Sequence, residues 1–228
     1  MGTVSMNYVI TYTKRKTIAI YVHKDGAVEV RCNKNTPKLA IEKFVNQKQK
    51  WIDEKVAVMR GNNAIKHCWK IEIGNSLLFM GKEYSIVAEE GNNVGFDGRN
   101  FYIPPQLDAV NIKPYIIEVY KSLAKKVIVD KVIKYGKIMN VSPANIKVSS
   151  AKTHWGSCSG KNSLNFSWLL IMADENVIDY VVVHELAHIK EHNHSERFWK
   201  IVAKIFHDYK EKKEKLRELQ DKLSKESW

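Results

Sequence analysis

His184, Glu185 and His188 are the residues of this chain whose types and spacing could do chemistry together. On a helix, residues four apart stand one above the other, so His184 and His188 can share one metal ion. Glu185 then sits beside them, placed to activate a metal-bound water. A third ligand must come from His192 or His194. On an unbroken helix His192 lies about 12 Å from His184, too far for zinc–nitrogen bonds of about 2 Å. His194 is within reach if the chain leaves the helix and folds back. The expected ligands are therefore His184, His188 and His194, with His192 facing solvent or lying behind them. Imidazole ligands with one open position suit Zn2+.

The elements around these residues must hold them in place. The apolar run Val177–Val183 marks a packed helix, with Asp174 as its expected cap. Asn193 tolerates the left-handed conformation that ends a helix. Ser195 offers the next N-cap, with Glu196 in the first turn. One last helix is expected from there, burying Phe198, Ile201, Val202, Ile205, Phe206 and Tyr209. Past Lys210 it keeps only a thin stripe of Leu216, Leu219 and Leu223. Upstream, Asn145–Ser150 reads as a strand, Thr153–Gly160 as turns, and Ser163–Leu170 as the returning strand. Trp155, Gly156 and Cys158 read as core, turn and inert thiol. The alternative is that residues 163 to 169 form an exposed edge that pairs with an extended peptide. A further alternative makes Cys158 a nucleophile.

Before this region the chain is organised in two stretches. Tyr8–Tyr12, Thr17–Val22 and Ala27–Cys32 read as strands, with Lys24-Asp25-Gly26 turning a hairpin. A helix over 37–60 follows, Pro37 in its first turn and Gly61-Asn62-Asn63 at its end. Short strands are expected near Lys70–Ile73, Leu77–Phe79, Tyr84–Ala88, Val94–Phe96 and Phe101–Ile103. Pro104-Pro105 marks a boundary. A long helix begins near Leu107, its face carrying Tyr115, Val119, Leu123 and Val127 with Ile116, Tyr120 and Ile128 beside them, then Val132 and Tyr135, up to Gly136. The expected organisation is a β-rich region over 1–106 and a hydrolase domain over 107–228, α+β overall.

The 228 residues are 44% hydrophobic and 27% charged, as in soluble globular proteins. No apolar run reaches the length of a membrane span, and the first eight residues lack the pattern of a secretory leader. Cys32, Cys68 and Cys158 form no paired framework, which points to a reducing, cytoplasmic setting. The formal charge of +12 would attract a nucleic acid or nucleotide, yet the Lys and Arg residues are dispersed and interleaved with Glu. Plain solubility accounts for them equally well.

Several linked motifs resemble one family. They are Thr153-His154-Trp155-Gly156-Ser157-Cys158-Ser159, then Leu164-Asn165, then Ile178-Asp179-Tyr180 leading into His184-Glu185-Leu186-Ala187-His188. Asn193-His194-Ser195 and Phe198-Trp199 complete the series. The chain resembles the YgjP-like metallopeptidases, relatives of the SprT-like and WLM proteases, over nearly its whole length. The resemblance implies a zincin-like fold, in which a small antiparallel sheet flanks the active-site helix. It also implies three His ligands and Glu185 as general base. Two departures stand out: His154 where the family pattern usually has Arg, and Asp174 where Pro is common.

The expected function is a zinc metallopeptidase that cleaves polypeptides with a Glu185-activated, zinc-bound water. A metal-dependent hydrolase of nucleotide phosphoanhydrides is one alternative, and a DNA-associated protease or binding module another. No Gly-rich phosphate cradle supports the first, and no DNA-binding motif the second. His154, Trp155, Asn165 and Tyr209 are candidate substrate contacts. His154, Tyr209 and a backbone N–H near Trp155 could stabilise an oxyanion. The N-terminal region offers no ligand cluster, so it is expected to present substrate or restrict access.

Overall fold

The computed structural model describes residues 8–68, 70–226 and 228, without the side chains of 62–68 and Ala109. The expected absence of a leader at the first residues, and the reading of Cys68 as unpaired, lie outside that description. The chain divides into two compact units, residues 1–69 with 222–228, and residues 70–221.

In the first unit, Val28, Val30 and Cys32 alternate with the half-buried Glu29 and Arg31, the pattern of a strand buried on one face. This strand, β3 (Val28–Cys32), lies between β1 (Tyr8–Tyr12), which is parallel to it, and β2 (Ala19–Val22), which is antiparallel. Gly26 turns the β2–β3 connection with a φ of 84°, a conformation that favours glycine. Ile41, Val45 and Ile52 complete the buried cluster with the three β3 residues. The helix expected over 37–60 is two helices, α1 (Lys38–Gln47) and α2 (Gln49–Cys68), broken at Lys48, whose φ and ψ are −104° and 6°. Pro37 is the N-cap residue of α1 and lies outside its first turn. Helix α2 also runs through Gly61-Asn62-Asn63, where the expected stop does not occur. An interior glycine costs a helix only about 1 kcal/mol, too little to end it.

In the second unit, β4 (Ser76–Phe79), β5 (Lys82–Ala88), β6 (Gly95–Phe96) and β7 (Phe101–Ile103) form a sheet in the order β4-β5-β7-β6. Residues 70–73 form no strand. The Tyr120 hydroxyl donates to the Leu78 carbonyl (2.7 Å), and the Met80 amide donates to the Ile171 carbonyl (2.8 Å). These bonds join the sheet to the helical part of the unit, so the expected boundary at 106/107 falls inside it.

Helix α3 (Ala109–Met139) ends on Asn140 in the left-handed conformation, past the expected stop at Gly136. Its buried face carries Ile112, Ile116, Tyr120, Ala124, Ile128, Val132, Tyr135 and Met139, while Tyr115 is 53% exposed. Ile116, Tyr120, Ile128, Val132 and Tyr135 are buried as expected, while Val119, Leu123 and Val127 are half-buried, so the buried stripe is turned by one residue from the first expected row. Both rows are apolar, and packing alone chooses between them.

Strands β8 (Asn145–Ser149), β9 (Gly156–Cys158) and β10 (Ser163–Ser167) follow in the order β8-β10-β9. The sheet is mixed, not antiparallel as expected, because β10 runs parallel to β8 and antiparallel to β9. Strand β10 is central, so it cannot be the exposed edge. Residues 168–172 form a buried 3-10 helix where the strand was expected to continue. Its Trp168-Leu169-Leu170-Ile171-Met172 run is apolar at every position, a pattern that does not separate strand from buried helix.

Helix α4 (Glu175–Lys190) carries the His-Glu motif. Asp174 is its N-cap residue by position, but its side chain makes no cap bond. It pairs instead with Lys215 at 3.1 Å. The expected last helix is two, α5 (Glu196–Ala203) and α6 (Tyr209–Lys225). The break carries no Gly or Pro to announce it.

Lys131 of α3 is 7% exposed and reaches Glu175 at 2.8 Å and Asp179 at 2.7 Å. Burial opposes its charge, and the two carboxylates outweigh that, leaving its pKa raised. Removing Lys131 leaves the largely buried Asp179 with no counter-ion and with the Tyr135 hydroxyl as a neutral partner, and breaking a buried ion pair typically costs about 3–5 kcal/mol. Lys131→Ala is therefore expected to lose about 3 kcal/mol in urea unfolding. A loss below about 0.5 kcal/mol, the range of ordinary surface changes, would show that the triad does not anchor α4.

Candidate metal centre

The helical spacing of α4 puts His184 and His188 on one face, their rings 5.0 Å apart. The chain leaves the helix at Glu191 in extended geometry, and the Ser195 hydroxyl caps α5 by accepting from the Phe198 amide (3.3 Å). Asn193 has no positive φ, so the expected left-handed stop there is not used. The reversal brings His194 back to the motif, its Nε2 3.0 Å from that of His184. One nitrogen from each of the three imidazoles lies within 4.8 Å of the others. No other such group of His, Cys, Asp and Glu occurs among the described residues, and His192 is exposed and outside it.

The surroundings fix these rings. The His188 Nδ1 is 3.2 Å from the Glu191 carbonyl. Donating there leaves the Nε2 lone pair for a ligand bond. Phe198, fully buried, packs against both His184 and His188. Trp199 stacks on His194 with 25° between the planes, and Tyr209 stacks behind Trp199 with 19°. Burial first, and then the neighbouring histidines and Lys213, push the His184 pKa down to about 3. Burial chiefly lowers that of His188 too. Neutral imidazoles are the form that binds metal.

Glu185 is 5% exposed, and burial pushes its pKa up to about 8. Its Oε2 is buried with no hydrogen-bond partner. A buried carboxyl oxygen without a partner, beside three converging imidazole nitrogens, fits a site built around a cation and its water. Gly156 of β9 makes room for this carboxyl: a Cβ there would lie 2.6 Å from Glu185 Cγ and Oε1. Gly156→Ala must displace Glu185, so activity is expected to fall about 10²-fold with the fold retained. Unchanged kcat would show that the close approach has no functional consequence.

A cleft of about 430 Å³ opens over these residues. Its walls include His154, Trp155 and Gly156, Tyr180 and Val181 of α4, and Lys213, Leu216, Arg217 and Gln220 of α6. Of the candidate substrate contacts, His154 and Trp155 line it, and Tyr209 does not. Asn165 lines a separate hollow with Lys121, Lys125 and Lys147. Alternation along β10 sends it away from the face that Leu164 and Phe166 bury. Burial and the Glu185 charge raise the Cys158 pKa. That keeps the thiol protonated and counts against a nucleophilic role. Tyr180 and the α6 residues are the cleft components that sequence reasoning missed. Tyr180 precedes His184 by one helical turn and could have been placed on the same face. The residues of α6 gave no such signal.

Residues 16–219 match the family described as YgjP-like, metallopeptidase domain. The chain belongs to the YgjP-like metallopeptidases. It is accordingly a metal-dependent peptidase, a hydrolase acting on polypeptides. Two solved structures are also similar. The metallopeptidase zymogen of Pyrococcus abyssi, abylysin, matches with a TM-score of 0.37 and 24% identity over 42% of this chain and 94% of that one. The metallopeptidase zymogen of Methanocaldococcus jannaschii, jannalysin, matches with a TM-score of 0.37 and 26% identity, covering 40% and 94%. A search of curated proteins finds no match. No helix of this YgjP-like chain, among the described residues, is long and apolar enough to cross a membrane.

Proposed function

We propose that the chain is a zinc peptidase with His184, His188 and His194 as ligands and Glu185 as general base. The observation that carries this reading is the convergence of three imidazole nitrogens beside a buried carboxyl with one unpartnered oxygen. Three neutral ligands and borderline-soft nitrogen donors favour zinc. When bound, such an ion lowers the pKa of a coordinated water and polarises the substrate carbonyl. Beside such a cation Glu185, otherwise held neutral by burial, would carry the carboxylate that a base requires. Glu185 takes a proton during attack and returns it to the leaving amine.

The remaining groups shape the reaction. His154 and Tyr180 line the cleft and are side-chain donors for a developing oxyanion. Burial holds the Tyr180 phenol neutral, its pKa pushed up to about 12, so it remains a donor. Strand β9 is an edge of its sheet and carries Gly156 against Glu185. Its outer backbone is the side along which an extended peptide could pair, the role that the sequence suggested for residues 163 to 169. The zincin-like description, the placing of the chemistry in the residues after 107 and a cytoplasmic setting belong to the same proposal.

The test is a hydrolysis screen of zinc-loaded protein against unstructured polypeptides and nucleoside triphosphates, with Glu185→Gln as control. Cleavage of polypeptide alone is expected. Release of phosphate from triphosphates, with polypeptides intact, would replace the peptidase reading by the nucleotide one.

A further inference from the structure

The wall that α6 contributes to the cleft is charged in a way the catalytic chemistry does not use. Lys213, Leu216, Arg217 and Gln220 stand at i, i+3, i+4 and i+7, the spacing of one helical face, and all four line the cleft. Two cations thus face the same space as Glu185, the single carboxylate among the lining residues. Among the described residues, Lys213 makes no ion pair, and its Nζ lies 5.3 Å from the centre of the Trp199 ring. This contact places the ammonium beside the ring that stacks on His194. Arg217 pairs with Glu214 at 2.9 Å, but both side chains are largely exposed. An exposed pair of this kind is weak and exchanges readily for another carboxylate. Glu214 itself does not line the cleft. Trp155, Tyr180, Val181 and Leu216 supply low-dielectric walls, between which the two positive charges act more strongly than in open water.

We propose that this cleft selects polypeptides with an Asp or Glu side chain close to the scissile bond, held by Lys213 and Arg217. The proposal rests on the peptidase reading and names its substrate class. A carboxylate entering the cleft meets two donors and no competing acid besides Glu185. A Lys or Arg side chain in the same position meets like charge, so discrimination has both an attractive and a repulsive part.

The experiment uses the full-length, zinc-loaded protein and three peptides identical except for Glu, Ala or Lys beside the cleaved bond. The ratio of kcat/KM for the Glu peptide over the Lys peptide is expected to be about 10 to 100 at low salt and to shrink at 0.5 M salt, where charges are screened. In Lys213→Glu/Arg217→Glu the ratio is expected to fall below one. Should that variant fail to fold, Lys213→Gln/Arg217→Gln is read instead, with the ratio expected within about threefold of one. A second readout is peptide affinity of the Glu185→Gln protein, expected to be about tenfold tighter for the Glu peptide. Equal cleavage and equal binding of all three peptides, or a ratio unmoved by the substitutions, would overturn the specificity and leave the peptidase reading standing. Failure to cleave any of the three would sink the peptidase reading, and the specificity with it.

Discussion

Glu185→Gln is expected to lower peptide hydrolysis by at least 10²–10⁴-fold while leaving the metal content unchanged. The amide has nearly the size of the carboxyl, so the packing against Gly156 survives the exchange. What is lost is a base able to accept a proton, and no second carboxylate among the described residues lines the cleft. The residue is 5% exposed and keeps an unpartnered oxygen. A structural carboxyl in such a place would normally find a partner, because an unsatisfied buried polar group costs about 1–3 kcal/mol. Steady-state kinetics with zinc measured per chain separates the two roles. Hydrolysis at the wild-type rate would reduce Glu185 to a structural neighbour of the ligands.

The second large effect concerns the ligand that sequence spacing leaves most open. His194→Ala is expected to strip the bound zinc on dialysis, and His192→Ala to retain it. The three nitrogens of His184, His188 and His194 form a cluster within 4.8 Å, and the exposed His192 is not part of it. Two imidazoles alone leave zinc with fewer protein ligands than the three of catalytic sites. Metal analysis of both variants decides the assignment. Zinc retained in His194→Ala and lost in His192→Ala would reverse it.

Much of this site is legible in the sequence because its geometry is local. The four-residue spacing of His184 and His188 follows from helix periodicity, and the capping hydroxyl of Ser195 announces the reversal that returns His194. The cleft is different. Gly156 reads as a turn glycine, and its function of clearing space for Glu185 depends on a strand pairing formed with β10. Lys213 and Arg217 sit in a run of Lys and Glu that reads as a solvated helix face. That this face lines the cleft, with Leu216 buried in it, depends on tertiary packing. The choice between neighbouring apolar rows on α3 and the central position of β10 are likewise decided by tertiary contacts. The breaks at Lys48 and after Ala203 have no local punctuation of the Gly or Pro kind.

Under the proposed function, a metal held by His184, His188 and His194 carries the peptidase activity. The most direct measurement is hydrolysis of an unstructured polypeptide before and after chelation, followed by titration with zinc. Activity is expected to vanish on metal removal and to return in full at one zinc per chain. Undiminished hydrolysis by the metal-free protein would contradict it.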